Sequence, residues 1–218
     1  MNKILQQCAE AVIIQKGNVI IKNRIPKSYR LKELDDKIRK HRTKSEKNLL
    51  EKASKIINAP NPFPLKEETV IEMPFIEGEK LSEHLDSFSL EKQKKICELI
   101  GRDIAKLHNA EIIHGDLTTS NMILVTNANI KNSPPSRKRG DNNFPKVFFI
   151  DFGLGFISSK VEDKAMDLHI LKQTLTSKHF QNGKILFNEV LKEYKKVEQS
   201  KKVMERLEAI EKRGRYKN

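Results

Sequence analysis

The pattern of apolar and polar positions near the start of the chain predicts a β-hairpin followed by a long helix. Residues 9–14 and 18–22 are rich in valine and isoleucine, and the triplet Gln15-Lys16-Gly17 between them favours a turn. From about residue 31 to residue 57 the apolar positions recur at helical spacing instead. The proline-rich residues 59–64 cannot continue a helix, so we expect the helix to end before them.

The rest of the chain predicts helices joined by short strands. Residues 69–73 are typical of a strand, and residues 89–109 of a long helix with Ser89 as its N-cap. Further strands are predicted at 111–113, 122–125 and 146–150, and further helices at 163–177 and 188–210. Segment 127–145 has no apolar periodicity and is predicted to be a flexible basic insertion. It is similar to a short nuclear-localisation patch, but also to many solvated loops.

Charge is concentrated in two parts of a chain whose 218 residues suit one domain of two small lobes. The formal net charge is +13. Residues 22–55 carry thirteen Lys/Arg against five acids, and residues 192–218 carry ten against five. This concentration favours a polyanionic partner such as RNA. A solvated helix face is the alternative interpretation.

Other features of the composition indicate an intracellular, soluble protein. Cys8 and Cys97 are far apart and have no metal-ligand spacing, which fits a reducing compartment. The N-terminus lacks the layout of a signal peptide, and no apolar run has the length of a membrane span. We expect no membrane association, and a cytoplasmic and nuclear location.

The motif with the clearest chemistry is His114-Gly115-Asp116-Leu117-Thr118-Thr119-Ser120-Asn121, followed thirty residues later by Asp151-Phe152-Gly153. Its spacing is that of a kinase catalytic loop and its metal-binding partner. Asp116 would orient the attacking oxygen, and Asn121 and Asp151 would hold Mg²⁺ against the phosphates of ATP. All three residues follow or precede predicted short strands, which fix their geometry.

Upstream residues complete the order found in kinases. Lys22, at the end of an apolar strand, would contact the α- and β-phosphates, and Glu46 on the first helix would pair with it. Met73 and Pro74 fall at the adenine hinge. Because proline has no N–H, the amide that the adenine needs would come from a later residue such as Ile76. An ordinary strand-end lysine and a surface acid are the alternatives for Lys22 and Glu46.

Several blocks resemble the family of small atypical kinases of the KEOPS (EKC) complex, called PRPK in animals. They are residues 21–30, Leu34-Asp35, His41-Arg42-Thr43 with Glu46, 114–121, 150–155, 161–168 and Arg213-Gly214-Arg215. The resemblance covers nearly the whole chain, and several of these blocks are unusual among kinases.

The resemblance implies an α+β fold, a minimal two-lobed protein-kinase-like fold with a small β-rich N-lobe and a reduced helical C-lobe. We assign residues 1–75 to the N-lobe, 76–210 to the C-lobe with the insertion at about 127–145, and 211–218 to a basic tail. The resemblance also implies ATP and Mg²⁺ in the cleft, Ser/Thr kinase or ATPase activity, and a role in threonylcarbamoyladenosine (t6A) modification of tRNA. The implied partners are the ASKHA-fold tRNA threonylcarbamoyltransferase subunit on the C-lobe, a small KEOPS subunit on the N-lobe, and tRNA.

The sequence departs from common kinases at three positions. A glycine-rich phosphate loop is missing, and Cys8 stands where the family typically has a glycine. Gly115 replaces the arginine that usually receives an activation-loop phosphate, so control by docked partners is favoured over control by phosphorylation. Thr118 replaces a lysine that meets the γ-phosphate, which favours slow protein phosphorylation or ATP hydrolysis.

Alternatives remain for the activity and for the C-terminal cations. The His-Gly-Asp motif also occurs in small-molecule phosphotransferases, RIO-type kinases are structurally close, and a non-catalytic scaffold that binds ATP or tRNA is a third option. Six C-terminal cations are candidates for nucleic-acid or partner contact: Lys195, Lys196, Lys201, Lys202, Arg213 and Arg215. A charged helix packed on the C-lobe, with a frayed end, is the alternative for them.

Overall fold

The structure is a computed structural model that describes residues 2–7, 10–126, 145–198 and 200–215, without the side chains of residues 2, 214 and 215. Its strands are β1 (Asn2–Gln7), β2 (Ala11–Lys16), β3 (Val19–Arg24), β4 (Val70–Pro74), β5 (Glu79–Lys80), β6 (Ile112–Ile113), β7 (Met122–Val125), β8 (Lys146–Phe149) and β9 (Phe156–Ile157). Its helices are α1 (Lys32–Ala53), α2 (Leu81–His84), α3 (Leu90–Asn109), α4 (Val161–Lys178), α5 (Gly183–Tyr194) and α6 (Ser200–Arg215).

The N-lobe is an antiparallel sheet in the order β1-β2-β3-β4, accompanied by α1. The predicted hairpin is confirmed as β2 and β3, with Ile13 opposite Lys22. Because side chains alternate along a strand, Lys22 and Arg24 point to the same face of β3. Both side chains are buried there, 7% and 5% exposed. The sheet therefore presents two cations to the interior of the lobe.

The C-lobe is built around α3, whose apolar stripe lies in the core. Ile96, Ile100 and Ile104 recur every four residues and are fully buried. The predicted cap is confirmed, since the Ser89 side chain accepts the Lys92 N–H. Helix α3 packs along α5, and α4 packs along α6. Two small antiparallel sheets, β5-β7-β8 and β6-β9, join these helices to the N-lobe.

The prediction of one helix over 188–210 was wrong. Helix α5 ends at Tyr194 and α6 begins at Ser200, whose hydroxyl donates to the Lys195 carbonyl at 3.0 Å. The chain turns there because α6 packs back against α4. Helix α6 also continues to Arg215, well into the segment predicted as a tail, and Glu211 is tied to Lys172 at 2.6 Å.

Three other expectations concern the basic insertion, membrane spans and the fold class. The predicted basic insertion at 127–145 lies outside the described residues except for Pro145. Within the described part of the chain, no helix combines the length and apolarity needed to cross a membrane. The α+β architecture, with a β-rich N-lobe and a helical C-lobe, is confirmed.

Candidate active site

A cleft of about 530 Å³ lies between the N-lobe sheet and the C-lobe. Its walls bring together every residue predicted to act in catalysis or to contact the nucleotide: Lys22, Glu46, Met73, Ile76, Asp116, Asn121 and Asp151. Isoleucines from β2, β3 and β7 line it as well, which gives the cleft an apolar part beside the polar one. A cleft with apolar walls and a few convergent polar groups is the usual form of a nucleotide site.

Lys22 lies between two carboxylates at the polar end of the cleft. Its Nζ is 2.7 Å from Glu46 Oε1 and 2.7 Å from Asp151 Oδ1. Burial opposes the charged form of the lysine, but the charges of Glu46 and Asp151 outweigh it and raise the pKa of Lys22. Burial likewise disfavours the Asp151 carboxylate, yet the Lys22 ammonium holds the pKa of Asp151 below its usual value. Both groups are therefore charged at neutral pH.

Glu46 has a second cation that the sequence reasoning missed. Arg24 Nη2 is 2.5 Å from Glu46 Oε2, on the side opposite Lys22. Arg24 also lies 3.9 Å from Glu10, which bonds Arg42 at the surface. The sequence did hold a signal for this role of Arg24. It lies two residues after Lys22, and side chains two apart on a strand point to the same face. The Glu46 carboxylate, 1% exposed, is thus fixed by both of its oxygens.

The catalytic loop explains why Gly115 stands beside Asp116. Gly115 has φ +78°, and a Cβ there would lie 2.2 Å from the Leu154 carbonyl oxygen. No larger residue fits that approach without movement of the backbone. Asp116 and Asn121 are joined by hydrogen bonds from Asn121 Nδ2 to Asp116 O at 3.0 Å and to Asp116 Oδ2 at 2.8 Å. The loop therefore delivers its acid and its amide as one unit.

Asp167 of α4 anchors this loop, and the sequence reasoning assigned it no role. Its Oδ2 accepts the His114 N–H at 2.7 Å and its Oδ1 accepts the Gly115 N–H at 2.9 Å. His108 Nε2 lies 3.3 Å from the same carboxylate. Asp167 is 1% exposed, so all of these bonds are in the interior. No spacing rule connects it to the loop; the only signal was its place in the family-like block at 161–168.

His114 links the loop to the strand that precedes Asp151. Its Nε2 lies 3.2 Å from the Ile150 carbonyl, which can only accept, and its Nδ1 accepts the Asp116 N–H at 3.3 Å. This pattern is that of a neutral imidazole with the proton on Nε2. Burial lowers the pKa of His114 despite the nearby charge of Asp167, in agreement with the neutral form.

Asn121 and Asp151 fit the requirements of Mg²⁺, which prefers oxygen ligands. Since Asn121 Nδ2 faces Asp116, its Oδ1 is the free end of the amide. Asp151 uses Oδ1 for Lys22 and for the Gly153 N–H at 3.1 Å, and its φ of +60° is uncommon for a residue other than glycine. No cluster of three His, Cys, Asp or Glu suited to a metal occurs among the described residues. Two protein ligands suit an ion that is bound together with phosphates and neutralises their charge.

The hinge geometry agrees with the expectation for adenine. Pro74 has no N–H, and the Phe75 N–H donates to the Asn18 carbonyl at 2.8 Å. Of these three successive residues, Ile76 is left as the donor, and it lines the cleft beside Met73. The role of Ile76 stays a prediction, as do the catalytic roles of the other cleft residues.

Strand β1 occupies the place of the glycine-rich loop. Leu5 and Gln6 of β1 line the cleft, and Thr118 lines it next to Asp116. Cys8, where the missing glycine was expected, lies outside the described residues. Strand β1 thus contributes side chains to the lining of the cleft, and the catalytic loop adds a hydroxyl where many kinases have a cation.

The C-terminal cations lie away from this cleft. Lys195, Lys196, Lys201 and Lys202 surround the turn between α5 and α6, and their side chains are exposed. Lys196 pairs with Glu193 at 2.6 Å. The remaining two candidates are Arg213, which is exposed, and Arg215, whose side chain is not described.

Comparisons of the sequence identify the family. The chain matches the RIO domain over residues 18–131. It is 40% identical to the KEOPS complex subunit Bud32 of Pyrococcus abyssi over 99% of this chain and 96% of that protein. It is 37% identical, over 95% and 92% of the two chains, to the "Probable serine/threonine-protein kinase BUD32 homolog" of Archaeoglobus fulgidus. A third relative, the "Probable bifunctional tRNA threonylcarbamoyladenosine biosynthesis protein" of Methanobrevibacter smithii, is 37% identical over 99% of this chain, which spans only 37% of that protein.

Solved structures share the fold. The Rio2 kinase of Chaetomium thermophilum, solved as an ADP/Mg²⁺-phosphoaspartate complex, superposes with a TM-score of 0.61 at 14% identity over 99% of this chain and 71% of its own. WaaP, solved with acyl carrier protein, gives 0.55 at 12% identity over 97% and 88%. These likenesses confirm the kinase-like fold. The RIO match accounts for that fold, and the likeness to Bud32 extends over the whole length. The chain belongs to the Bud32 family of RIO-domain, kinase-like proteins.

Proposed function

We propose that this chain is the ATP-dependent kinase or ATPase subunit of a KEOPS complex and supports formation of threonylcarbamoyladenosine on tRNA. One observation carries the enzymatic part: Lys22, Asp116, Asn121 and Asp151 all line a single cleft, with Lys22 paired to Glu46. The names of the relatives, a KEOPS subunit and tRNA threonylcarbamoyladenosine biosynthesis proteins, support the context.

Water, or a hydroxyl on a bound partner, is the acceptor that the cleft favours. Asp116 is the acid that would orient it. Thr118 supplies no positive charge for the transferred phosphoryl group, which removes a source of transition-state stabilisation. ATP and Mg²⁺ are the proposed ligands, with Lys22 at the phosphates, Met73 and Ile76 at the adenine, and Asn121 and Asp151 at the metal.

ATP turnover of the full chain, alone and with its ASKHA-fold partner, tests the proposal. Asp116→Asn should lower turnover at least about 100-fold, the scale expected for a general base. Asp36→Asn is the matched control, since Asp36 bonds Arg39 on α1, far along the chain from the catalytic loop. Equal turnover in wild type and Asp116→Asn would refute the catalytic role of Asp116. No turnover in the wild type, alone or with its partner, would favour the ATP- or tRNA-binding scaffold.

Exposed apolar side chains on the C-lobe support docking of the ASKHA-fold subunit there. Leu154, Phe156, Ile157 and Met166 are all at least 40% exposed, and three of them follow directly on Asp151-Phe152-Gly153. Ile157→Ser should weaken capture of that subunit, whereas Phe180→Ser, which alters an exposed apolar residue elsewhere on the lobe, should not. The small KEOPS subunit is proposed for the N-lobe.

Contact with tRNA is proposed for the turn between α5 and α6. Many cations of residues 22–55 are already used in ion pairs, as shown by Arg24, Arg30, Arg39, Arg42 and Lys47. By contrast, Lys201 and Lys202 lie exposed in the first turn of α6, where the helix dipole disfavours cations. Positive potential at that turn suits phosphate groups.

Replacing Lys195, Lys196, Lys201 and Lys202 with alanine should weaken tRNA binding and flatten its dependence on salt. The matched control removes four exposed lysines of α1: Lys32, Lys37, Lys44 and Lys52. Equal effects of the two sets would mean that only net charge matters. The cytoplasmic and nuclear location stays a prediction, to be checked by fractionation of cells that express the tagged full chain.

A further inference from the structure

Three polar side chains joined by hydrogen bonds, those of Asp86, His179 and Thr119, lie behind the catalytic loop and outside the nucleotide cleft. His179, at the C-terminal end of α4, has its Nδ1 2.8 Å from Asp86 Oδ2 and its Nε2 3.1 Å from Thr119 Oγ1. His179 is 1% exposed and Thr119 is fully buried, while the Asp86 side chain is half exposed. These hydrogen bonds thus connect the surface to the loop that carries Asp116 and Asn121.

The carboxylate of Asp86 fixes the direction of the hydrogen bond at Nδ1 of His179. An ionised carboxylate can only accept, so Nδ1 of His179 carries a proton and donates it to Asp86. In the neutral ring Nε2 accepts from the Thr119 hydroxyl, and in the charged ring Nε2 donates to it, so the contact holds Thr119 in either state. Asp86 therefore determines both the tautomer and the orientation of His179. The hydroxyl of Thr119 is satisfied in an interior where an unpaired one would be costly.

Thr119 lies in the short turn between the catalytic acid and the metal-binding amide. The Thr118 N–H donates to the Asp116 carbonyl at 2.9 Å, and the Asn121 N–H donates to the Thr118 carbonyl at 3.0 Å. A shift of Thr119 would therefore move both functional residues. The other end of the loop is held by Asp167 of α4, and His179 directly follows the last residue of the same helix.

We propose that His179, oriented by Asp86, is a positioning residue that fixes the catalytic loop through the Thr119 hydroxyl. It keeps the Asn121 amide in place for Mg²⁺ and Asp116 in place for the acceptor. The inference rests on the proposed phosphoryl-transfer function and adds a determinant to the same site. Helix α4 then holds the loop at two points, with a carboxylate at one end and an imidazole at the other.

Three variants of the full chain test this role in the assembly in which wild-type ATP turnover is measured. Thr119→Val keeps the shape and removes the hydroxyl, Thr119→Ser keeps the hydroxyl, and Thr176→Val is the control. Thr176 is on the same helix, and its hydroxyl only donates to backbone carbonyls of α4, at 2.8 Å in the shorter contact. The measurements are kcat, KM for ATP, the Mg²⁺ concentration for half-maximal turnover, and the melting temperature.

Thr119→Val should lower kcat about tenfold and raise the half-maximal Mg²⁺ concentration, with KM for ATP within about twofold of wild type. Thr119→Ser should restore both parameters, and Thr176→Val should change neither. The inference is overturned if Thr119→Val changes only the melting temperature, or if Thr119→Ser is as impaired as Thr119→Val.

A failure of the proposed function gives a different result, because the wild-type chain itself would then show no turnover. Calorimetric titration of ADP at several Mg²⁺ concentrations would still compare the variants in that case. If Thr119→Val needs more Mg²⁺ than wild type to bind ADP, and Thr119→Ser does not, the positioning role is supported. Identical titrations of the three proteins would refute it.

Discussion

Replacing Glu46 by glutamine perturbs the contact on which the geometry of the cleft most depends. The carboxylate is 1% exposed and bonds Lys22 at 2.7 Å and Arg24 at 2.5 Å. Glutamine has nearly the same shape but no charge, and it can offer an oxygen to only one of the two cations. The other cation then faces an amide NH₂ group, which cannot accept.

The expected cost is about 3 kcal/mol in the free energy of unfolding, at the lower end of values for breaking a buried ion pair. Lys22 keeps Asp151 as a partner, which limits the loss on that side. Among the described residues Arg24 keeps one carboxylate, that of Glu10 at 3.9 Å, so it carries most of the penalty. Because Glu46 no longer fixes the position of the Lys22 ammonium, Lys22 should also bind the phosphates of ATP less well, which raises the KM for ATP.

Urea unfolding of the full chain measures the first effect, and ATP titration the second. Glu51→Gln is the matched control: it lies on the same helix and pairs with Lys47 at 2.5 Å, but its side chain is 39% exposed. An i,i+4 pair of this kind is worth about 0.5 kcal/mol or less. A difference below about 1 kcal/mol between the two variants would show that Glu46 is not the shared counter-ion of two buried cations.

Three further outcomes follow from single positions. Gly115→Ala should destabilise the chain by about 2 kcal/mol or more and abolish turnover, because its Cβ would meet a carbonyl oxygen at 2.2 Å. The control Gly17→Ala, at φ +58° with nothing within 4 Å of the added Cβ, should cost about 1 kcal/mol. Urea unfolding measures the stability of both variants. The lowered pKa of Asp151 means that its carboxylate stabilises the folded chain. This contribution is complete above about pH 4, where an unfolded Asp is ionised, and is lost as pH falls through the lower pKa of the folded state. Asp151→Asn should therefore melt at a lower temperature than wild type at pH 6, and the two melting temperatures should converge in acid. In a Cys8→Ser background, Cys97 should resist thiol reagents at pH 8 until the chain unfolds, since burial raises the pKa of its thiol to about 12; labelling at the rate of a free thiol would contradict this.

Local patterns were sufficient to predict most elements of the fold and the residues of the cleft. A run of β-branched residues placed Lys22 on a strand, helical spacing placed Glu46 on α1, and the loop motif placed Asp116 and Asn121 together. These signals work because each element is long or periodic enough to be recognised alone. The short pairs β5 and β9 carry no such signal, because two residues show no periodicity.

The residues that support the site could not be predicted, since their partners are distant in sequence. Asp167 bonds the His114 amide 53 residues before it, and His179 bonds Thr119 60 residues before it. The break between α5 and α6 is similar. Residues 195–199 contain neither proline nor glycine, so local propensity favours a continuous helix. The packing of α6 on α4 decides against it.

The geometry favours a site that is assembled before any modification of the chain. The ion pair between Lys22 and Glu46, which many kinases form only on activation, is present, and Arg24 holds the other oxygen of the Glu46 carboxylate. Only residues 154–160 separate Asp151-Phe152-Gly153 from α4, and β9 within them pairs with β6. Gly115 leaves no arginine to receive a phosphate, and the space beside it is filled by the Leu154 backbone. Since neither the ion pair nor the loop awaits a switch, we expect the proposed turnover to be controlled by what binds at the cleft and at the exposed apolar residues of the C-lobe.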